Sequence, residues 1–254
     1  MKENDEAGWE ALSNWYDEKQ GETGDLWHRA LIDPALLRLI GDPNGKDLLD
    51  LGCGNGYLSR RLARQGGRVT AVDSSPRMIE NAKKRDPNRE IRYVLSDTGK
   101  LDAISSDSFD IVFANMSLMD IADCEKAISE ISRVLRKGGK FVASIFHPCF
   151  DNGSNSSWVI EKKLYESKIY RKIRAYREPF SERVPWKLPQ SDEKMFTIAF
   201  HRPLSWYART IANSGLAITA LEEPEPQEEF LDKESDAAGF LEVPLHLVIG
   251  AVKL

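Results

Sequence analysis

Between Lys46 and Ser144 short apolar runs alternate with longer stretches whose apolar residues recur at helical spacing. The runs Lys46–Leu51, Val69–Asp73, Ile91–Leu95 and Phe109–Asn115 each have the length of a buried strand, and a fifth run closes at Ser144. Helical signals fall between them. One helix is expected to begin near Gly56. Ser75 followed by Pro76 reads as an N-cap and first helical position, opening a helix to about Lys84 that Asp86-Pro87 ends. Asp123 is placed to cap another, with Ala127, Ile128, Ile131, Val134 and Leu135 at helical spacing before Gly138-Gly139 stops it. This alternation predicts an α/β fold, a parallel sheet with helices on both faces.

Both flanks depart from the alternation. Upstream, Trp9–Lys19 and Pro34–Ile40 read as helices, with a loop at Gly21–Asp25 flanked by Trp15, Tyr16 and Trp27. Downstream, residues 151–200 open with a polar loop at Asp151–Ser157. They then mix Trp158, Tyr165, Tyr170, Tyr176, Phe180 and Trp186 with Lys162, Lys163, Lys168, Arg171, Lys172, Arg174 and Arg177. Such a stretch suits a cap over a planar or anionic acceptor, and equally a pair of antiparallel hairpins with a solvated outer face. The pattern resumes with a helix over Leu204–Asn213, ended by Gly215, and strands at Ala217–Leu221 and His246–Val252. Glu222–Glu229 is acidic and proline-rich and reads as a surface loop.

Composition narrows the class. A chain of 254 residues with 41% hydrophobic and 30% charged residues can bury one large core and needs no second domain. No run approaches a membrane span, and the acidic start 1–6 lacks the basic and apolar regions of a signal peptide, so a cytoplasmic protein without membrane association is expected. Cys53, Cys124 and Cys149 are odd in number and lack metal spacing, which implies reduced thiols, no zinc and no other metal centre. A net charge of -5 argues against a general nucleic-acid surface. Oligomeric state is left open.

The chemistry is concentrated where the first strand meets a glycine loop, Leu48-Leu49-Asp50-Leu51-Gly52-Cys53-Gly54-Asn55-Gly56, with Asp73 ending the next strand. Such a loop lets a small polar ligand approach the backbone at the carboxyl edge of the sheet. A dinucleotide fingerprint would need a glycine where Tyr57 stands. An acidic strand end suits a ligand carrying an ammonium and a sulfonium better than a diphosphate.

In this ordered series the chain resembles the class I S-adenosylmethionine (SAM) dependent methyltransferases. Asp50–Gly56 resembles the family's first motif and Val69–Ser75 its second strand. Asp97 after Ile91–Ser96, Phe109–Asn115 and Val134–Lys140 follow in the family's order. The resemblance implies a Rossmann-like, seven-stranded, mostly parallel sheet whose last strand is antiparallel. It would form one domain over 1–254, with an N-terminal helical lid (1–45), a SAM-binding core (46–150), an inserted cap after the fifth strand (151–200) and a C-terminal end of the core (201–254). SAM is the implied cofactor and S-adenosylhomocysteine the product. Asp50, Gly52, Cys53, Gly54, Asn55 and Gly56 would meet the methionine part and Asp73 the ribose, with Ser74 beside it. Met78, Asp97 and Thr98 would lie at the adenine, and Asn115 and Met116 at the reaction centre. Taken as a carboxylate without a ligand, Asp50 could instead bond the glycine loop's amides and Asp97 cap its own turn.

The acceptor side is less sharply written. Asn115-Met116-Ser117-Leu118 carries neither an Asn-Pro-Pro-Tyr-type nor a Pro-Cys signature, which argues against adenine, glutamine and cytosine-C5 methylation. Candidates for catalysis are His147, which follows the fifth strand, Tyr16 and His201; Trp27, His28 and Arg202 are candidates for holding the acceptor. The expected activity is methyl transfer to an O or N atom of a small molecule. An RNA (tRNA base) methyltransferase and a non-catalytic SAM-binding protein stand as alternatives.

Overall fold

A computed structural model describes residues 8–162, 167–188, 194–234 and 237–254. The acidic start 1–6 and, in the 151–200 stretch, Lys163 and Tyr165 lie outside the described residues. The framework is a seven-stranded sheet in the order β10-β11-β5-β4-β1-β2-β3. Its strands are β1 (Asp47–Leu51), β2 (Arg68–Asp73), β3 (Arg92–Leu95), β4 (Phe109–Asn115), β5 (Leu135–Phe146), β10 (Leu216–Glu222) and β11 (His246–Lys253). Pairs β1/β2, β1/β4, β2/β3 and β4/β5 are parallel; β11 runs antiparallel to both β5 and β10. The order turns back between β1 and β4, so their carboxyl ends flank the crevice where doubly wound sheets bind ligands.

Apolar strand faces explain the layers. Leu49, Leu51, Val112, Phe141, Ala143 and Ile249 face α5 (Cys124–Val134) and α6 (Leu204–Asn213), whereas Leu48, Ile111, Phe113, Val142 and Val248 pack against α2 (Asp33–Ile40) and α3 (Tyr57–Arg64). The predicted caps are present: Ser75 Oγ accepts from Met78 N at 3.0 Å to start α4 (Pro76–Lys84), and Asp123 Oδ1 accepts from Lys126 N at 3.1 Å. The α5 helix stops at Val134, ahead of Gly138-Gly139, because β5 already begins at Leu135 opposite Phe109.

Helix α1 (Trp9–Gln20) lies against α4, tied to it by Glu10 on Ser75 and by Arg85, whose Nε is 2.5 Å from Asp17 Oδ1. A π-helical turn (His28–Ile32) leads straight into α2, so the helix begins at Asp33, one residue before the expected Pro34. Residues 151–200 carry two antiparallel pairs, β6 (Ser156–Lys162) with β7 (Ser167–Ile173) and β8 (Phe180–Lys187) with β9 (Lys194–His201). The expected loop at Glu222–Glu229 is shorter than the sequence suggests. Strand β10 reaches Glu222 and α7 (Glu228–Lys233) begins at Glu228, because Phe230 buries itself with Trp27 and, from α8 (Ala237–Glu242), Phe240. That one apolar residue among acids gives the segment a face to bury.

Candidate active site

The glycine loop turns over the carboxyl end of β1. Gly52 and Gly56 have φ of +76° and +74°, which side-chain-bearing residues rarely adopt, and a Cβ on Gly52 would come within 2.6 Å of the Ser117 Cβ. Bare backbone thus faces a cavity of about 340 Å³. Every residue assigned to SAM from the sequence lines that cavity except Gly56, which caps α3 behind it.

Asp73 ends β2 with Oδ2 accepting from Gly54 N and Oδ1 from Ser75 N, both at 2.9 Å. Burial pushes its pKa up against the amide bonds from Ser75, Gly54 and Ser74. The lone-pair sites that these amides leave can accept from a further donor. Asp50 accepts from Ser59 Oγ at 2.6 Å rather than from the loop amides, and burial pushes its pKa up to about 7. Asp97 Oδ1 accepts from Gly99 N at 2.7 Å, the local turn cap that its sequence position also allowed.

Asn115 is held by a network that the sequence does not announce. Its Nδ2 donates to Asp33 Oδ1 at 3.0 Å and to the Tyr57 hydroxyl at 2.8 Å, its Oδ1 accepts from Ser144 Oγ at 2.6 Å, and Tyr57 OH donates to Asp33 at 2.9 Å. Asn55 clamps the N-terminal segment to the loop: its Nδ2 donates to the Gly21 carbonyl at 3.0 Å and to Asp17 Oδ1 at 3.1 Å.

A second chamber of about 310 Å³ adjoins the first, and Trp9, Tyr16, His28, Met116 and Asp120 line both. Its farther walls come from Trp27, Phe146, Trp186 on β8, Thr197 and Ala199 on β9, and His246 on β11. Strands β8 and β9 therefore line the chamber together with α1 and the π-helical turn, and Trp186 meets Trp9 with ring centroids 5.5 Å apart. Tyr16 lies over the glycine loop, its ring 3.6 Å from where a Gly54 Cβ would be. Burial first, then the carboxylates Asp25, Asp120, Asp73 and Asp33, raise its phenol far above the ordinary range.

His28 has the geometry of a paired base. Its Nδ1 is 2.7 Å from Asp25 Oδ1 and 3.3 Å from Gln20 Nε2. The shorter, charge-assisted bond sets the tautomer, Nδ1–H toward Asp25, which leaves Nε2 as the acceptor. Burial alone would raise the Asp25 carboxyl, but the bond from His28 and the Lys19 ammonium at 3.3 Å outweigh it and hold it below the carboxylate range.

Of the other sequence candidates, His147, His201 and Arg202 lie outside the chamber. His147 lines neither the glycine-loop cavity nor the chamber. Its Nδ1 accepts from Cys149 N and its Nε2 faces Glu223 Oε1, both at 3.1 Å, and burial lowers its pKa. His201 stacks on Phe180 and bonds the Tyr176 carbonyl at 2.8 Å, beside an outer cavity that it shares with Arg202. The Arg202 guanidinium is spent on the carbonyls of Ile121 and Ala122, at 2.7 and 2.9 Å, between the Phe200 and Trp206 rings. Trp27 joins the Phe230–Phe240 cluster and presents an edge to the chamber.

Trp9 and Asp120 were missed as site residues. Asp120 Oδ2 accepts from Trp9 Nε1 at 2.9 Å. A signal for it exists in the sequence: an acid directly after Leu118-Met119, five residues past the end of the fourth strand, stands at the carboxyl edge among apolar neighbours.

Comparison with known proteins agrees with this architecture. Residues 49–143 match the methyltransferase domain family. A methyltransferase of Schizosaccharomyces pombe, C70.08c, is 35% identical over 164 residues, 62% of this chain and 59% of that protein. The malonyl-[acyl-carrier protein] O-methyltransferase of Serratia marcescens is 36% identical over 113 residues, 44% of this chain and 43% of its own. The chain thus spans well under two thirds of these two relatives. The methyltransferase Mb0092 of Mycobacterium bovis is 32% identical over 136 residues, 52% of this chain and 68% of its own length. A SAM-dependent methyltransferase structure from Mesorhizobium loti superposes with a TM-score of 0.71 at 26% identity, covering 87% of this chain and 96% of the other. With a bare glycine loop, an acid ending β2 and the strand order of a doubly wound sheet closed by one antiparallel strand, this chain belongs to the class I SAM-dependent methyltransferases.

Proposed function

We propose that the protein transfers the methyl group of SAM to an O or N atom of a small molecule held in the chamber beyond Tyr16, with His28 as the general base. The observation that carries this reading is the shared wall. The same five residues line the glycine-loop cavity and the chamber, and His28, whose partner Asp25 lines the chamber, is among them. The cavity fits the donor: a glycine loop bare of side chains, the Asp73 carboxylate with lone pairs to spare and the apolar Met78 face supply what a methionine, a ribose and an adenine require. When bound, SAM supplies an electrophilic methyl on a sulfonium leaving group.

The protein's own residues do the rest. Asp73 accepts the ribose hydroxyls, and Gly52 and Gly54 allow the methionine part against the backbone. Tyr16 and Met116 bound the passage between the two cavities, so an acceptor in the chamber is aligned with the methyl; such positioning supplies much of the rate in an in-line displacement. His28 Nε2 takes the proton that the acceptor loses, and Asp25 stabilises the imidazolium that results. The small chamber favours a free small molecule over a tRNA base, and a base pair poised at the passage favours catalysis over binding alone.

Turnover measured as S-adenosylhomocysteine formation tests the reading. His28→Ala should lower kcat by about 10²–10⁴-fold, and Asp25→Asn, which releases the tautomer, should lower it by less, with SAM affinity nearly unchanged in both. Full activity of His28→Ala would refute the base assignment.

A further inference from the structure

We propose that the acceptor is an amine, held as its ammonium in the aromatic-walled chamber by the carboxylate of Asp120. This assignment rests on the function proposed above and narrows it from an O or N atom to nitrogen.

The chamber's charges decide the matter. Asp25 is paired with the Lys19 ammonium at 3.3 Å and also bonded to His28 Nδ1 at 2.7 Å, and Asp151 is paired with Arg171 at 3.1 Å. Asp120 has no cationic partner among the described residues; its carboxylate holds only the neutral Trp9 indole, through one oxygen. Desolvation pushes the Asp120 pKa up to about 7, and the Trp9 bond only partly opposes it. The surrounding walls are rings: Trp9, Tyr16, Trp27, Phe146 and Trp186. Aromatic rings lining a cavity that holds one carboxylate without a cationic partner are the recognition chemistry of an ammonium. A neutral alcohol would leave the carboxylate unpaired, which discriminates strongly in a buried site.

A second observation is independent of Asp120. His246 is only 4% exposed, lines the same chamber, and its Nδ1 is buried without a hydrogen-bond partner. Burial pushes its pKa down to about 3, so it adds no charge of its own. Its ring therefore bounds the chamber as an uncharged wall that does not compete with Asp120 for a cation.

The chemistry balances with His28 as base. The bound ammonium, R–NH₃⁺, loses one proton to His28 Nε2, and the freed lone pair on nitrogen forms the N–CH₃ bond. The CH₃–S bond breaks with its electron pair passing to sulfur, giving the neutral thioether and R–NH₂⁺–CH₃. The new ammonium remains on Asp120 until release, and the imidazolium returns its proton to solvent.

The test uses the protein loaded with S-adenosylhomocysteine and three matched probe pairs: 2-phenylethylamine with 2-phenylethanol, tryptamine with tryptophol, and N-methylbenzylamine with benzyl methyl ether. Calorimetry should show each amine that binds doing so at least tenfold more tightly than its neutral partner. That preference should shrink to about twofold in Asp120→Asn and persist, weakened, in Trp9→Phe. Incubation with SAM should add one methyl to the bound amine. Neutral probes binding as well as amines would overturn the assignment. So would an amine preference that survives in Asp120→Asn, binding by no probe at millimolar concentration, or an Asp120→Asn variant that lost its preference for SAM over S-adenosylhomocysteine while keeping the amine, since Asp120 would then serve the donor's sulfonium. A folded Asp120→Asn is verified by near-ultraviolet circular dichroism. Failure of the broader reading looks different: wild-type protein that binds SAM tightly and methylates neither alcohols nor amines.

Discussion

The two halves of the site are built in opposite ways. The donor half is backbone: a nine-residue stretch from Leu48 to Gly56, one acid nineteen residues beyond Gly54 and a short turn at Asp97. The acceptor half is side chains brought from six places: Trp9 and Tyr16 on α1, His28 on the π-helical turn, Asp120 after β4, Trp186 on β8, Ala199 on β9 and His246 on β11. The difference teaches that a fold fixes the donor and leaves the acceptor to whatever the lid, the cap and the last strand present. Donor chemistry is constant and so can be met by bare backbone. Acceptor shape and charge vary and need side chains that can change without touching the sheet.

The largest expected effect breaks the donor half. Asp73→Ala removes the carboxylate proposed to accept the ribose hydroxyls and unties the Gly54 and Ser75 amides, so SAM affinity should fall by about 100-fold or more; unchanged affinity by calorimetry would contradict the ribose assignment. On the acceptor side, His28→Ala should reduce turnover severely with SAM binding left within a few fold. The pair of results, affinity lost in one variant and turnover in the other, is the comparison in measurable form.

A smaller effect falls on stability. Gly52→Ala forces a side chain into a left-handed backbone and against Ser117, and should cost about 1–3 kcal/mol in chemical denaturation. Gly54→Ala, with only the Tyr16 ring at 3.6 Å, should cost less of that and more of the SAM affinity.

The smallest effect has a definite sign. Asp120 titrates at about 7 in the fold against 3.8 in the open chain, so across that window the folded state binds more protons than the unfolded one. Its contribution to stability is fully present below pH 4 and is lost as the pH rises through 7. Asp120→Asn should therefore raise the melting temperature of the ligand-free protein at pH 8 and leave it nearly unchanged at pH 4. The gain at pH 8 is about 1–3 kcal/mol, discounted for relaxation of the open chamber. A gain in stability together with a loss of amine binding is the mark of a carboxylate kept for function.

The sheet was legible because its signals are local. Strand runs, the Ser75-Pro76 and Asp123 caps and the glycine loop each depend on a few consecutive residues, and every strand of the core falls within a few positions of its expected place. His147 misled because proximity to the end of β5 says nothing about which way a ring turns: it faces Glu223 and the Cys149 amide, away from the chamber. Arg202 misled because an arginine beside aromatic residues can serve carbonyls as readily as a ligand. The Asp33–Tyr57–Asn115 network and the Trp9–Asp120 bond join residues 24 to 111 positions apart, and no spacing rule connects them. Their pairing is a consequence of the π-helical turn and of the docking of α1 on α4, both set by tertiary packing.

The most direct test of the account is a crystal structure with S-adenosylhomocysteine bound. The ribose hydroxyls are expected on Asp73, the adenine between Met78 and Asp97, and the sulfur turned toward the passage between Tyr16, His28 and Asp120. A sulfur facing away from that passage, or an adenosyl group seated outside the glycine loop, would contradict it.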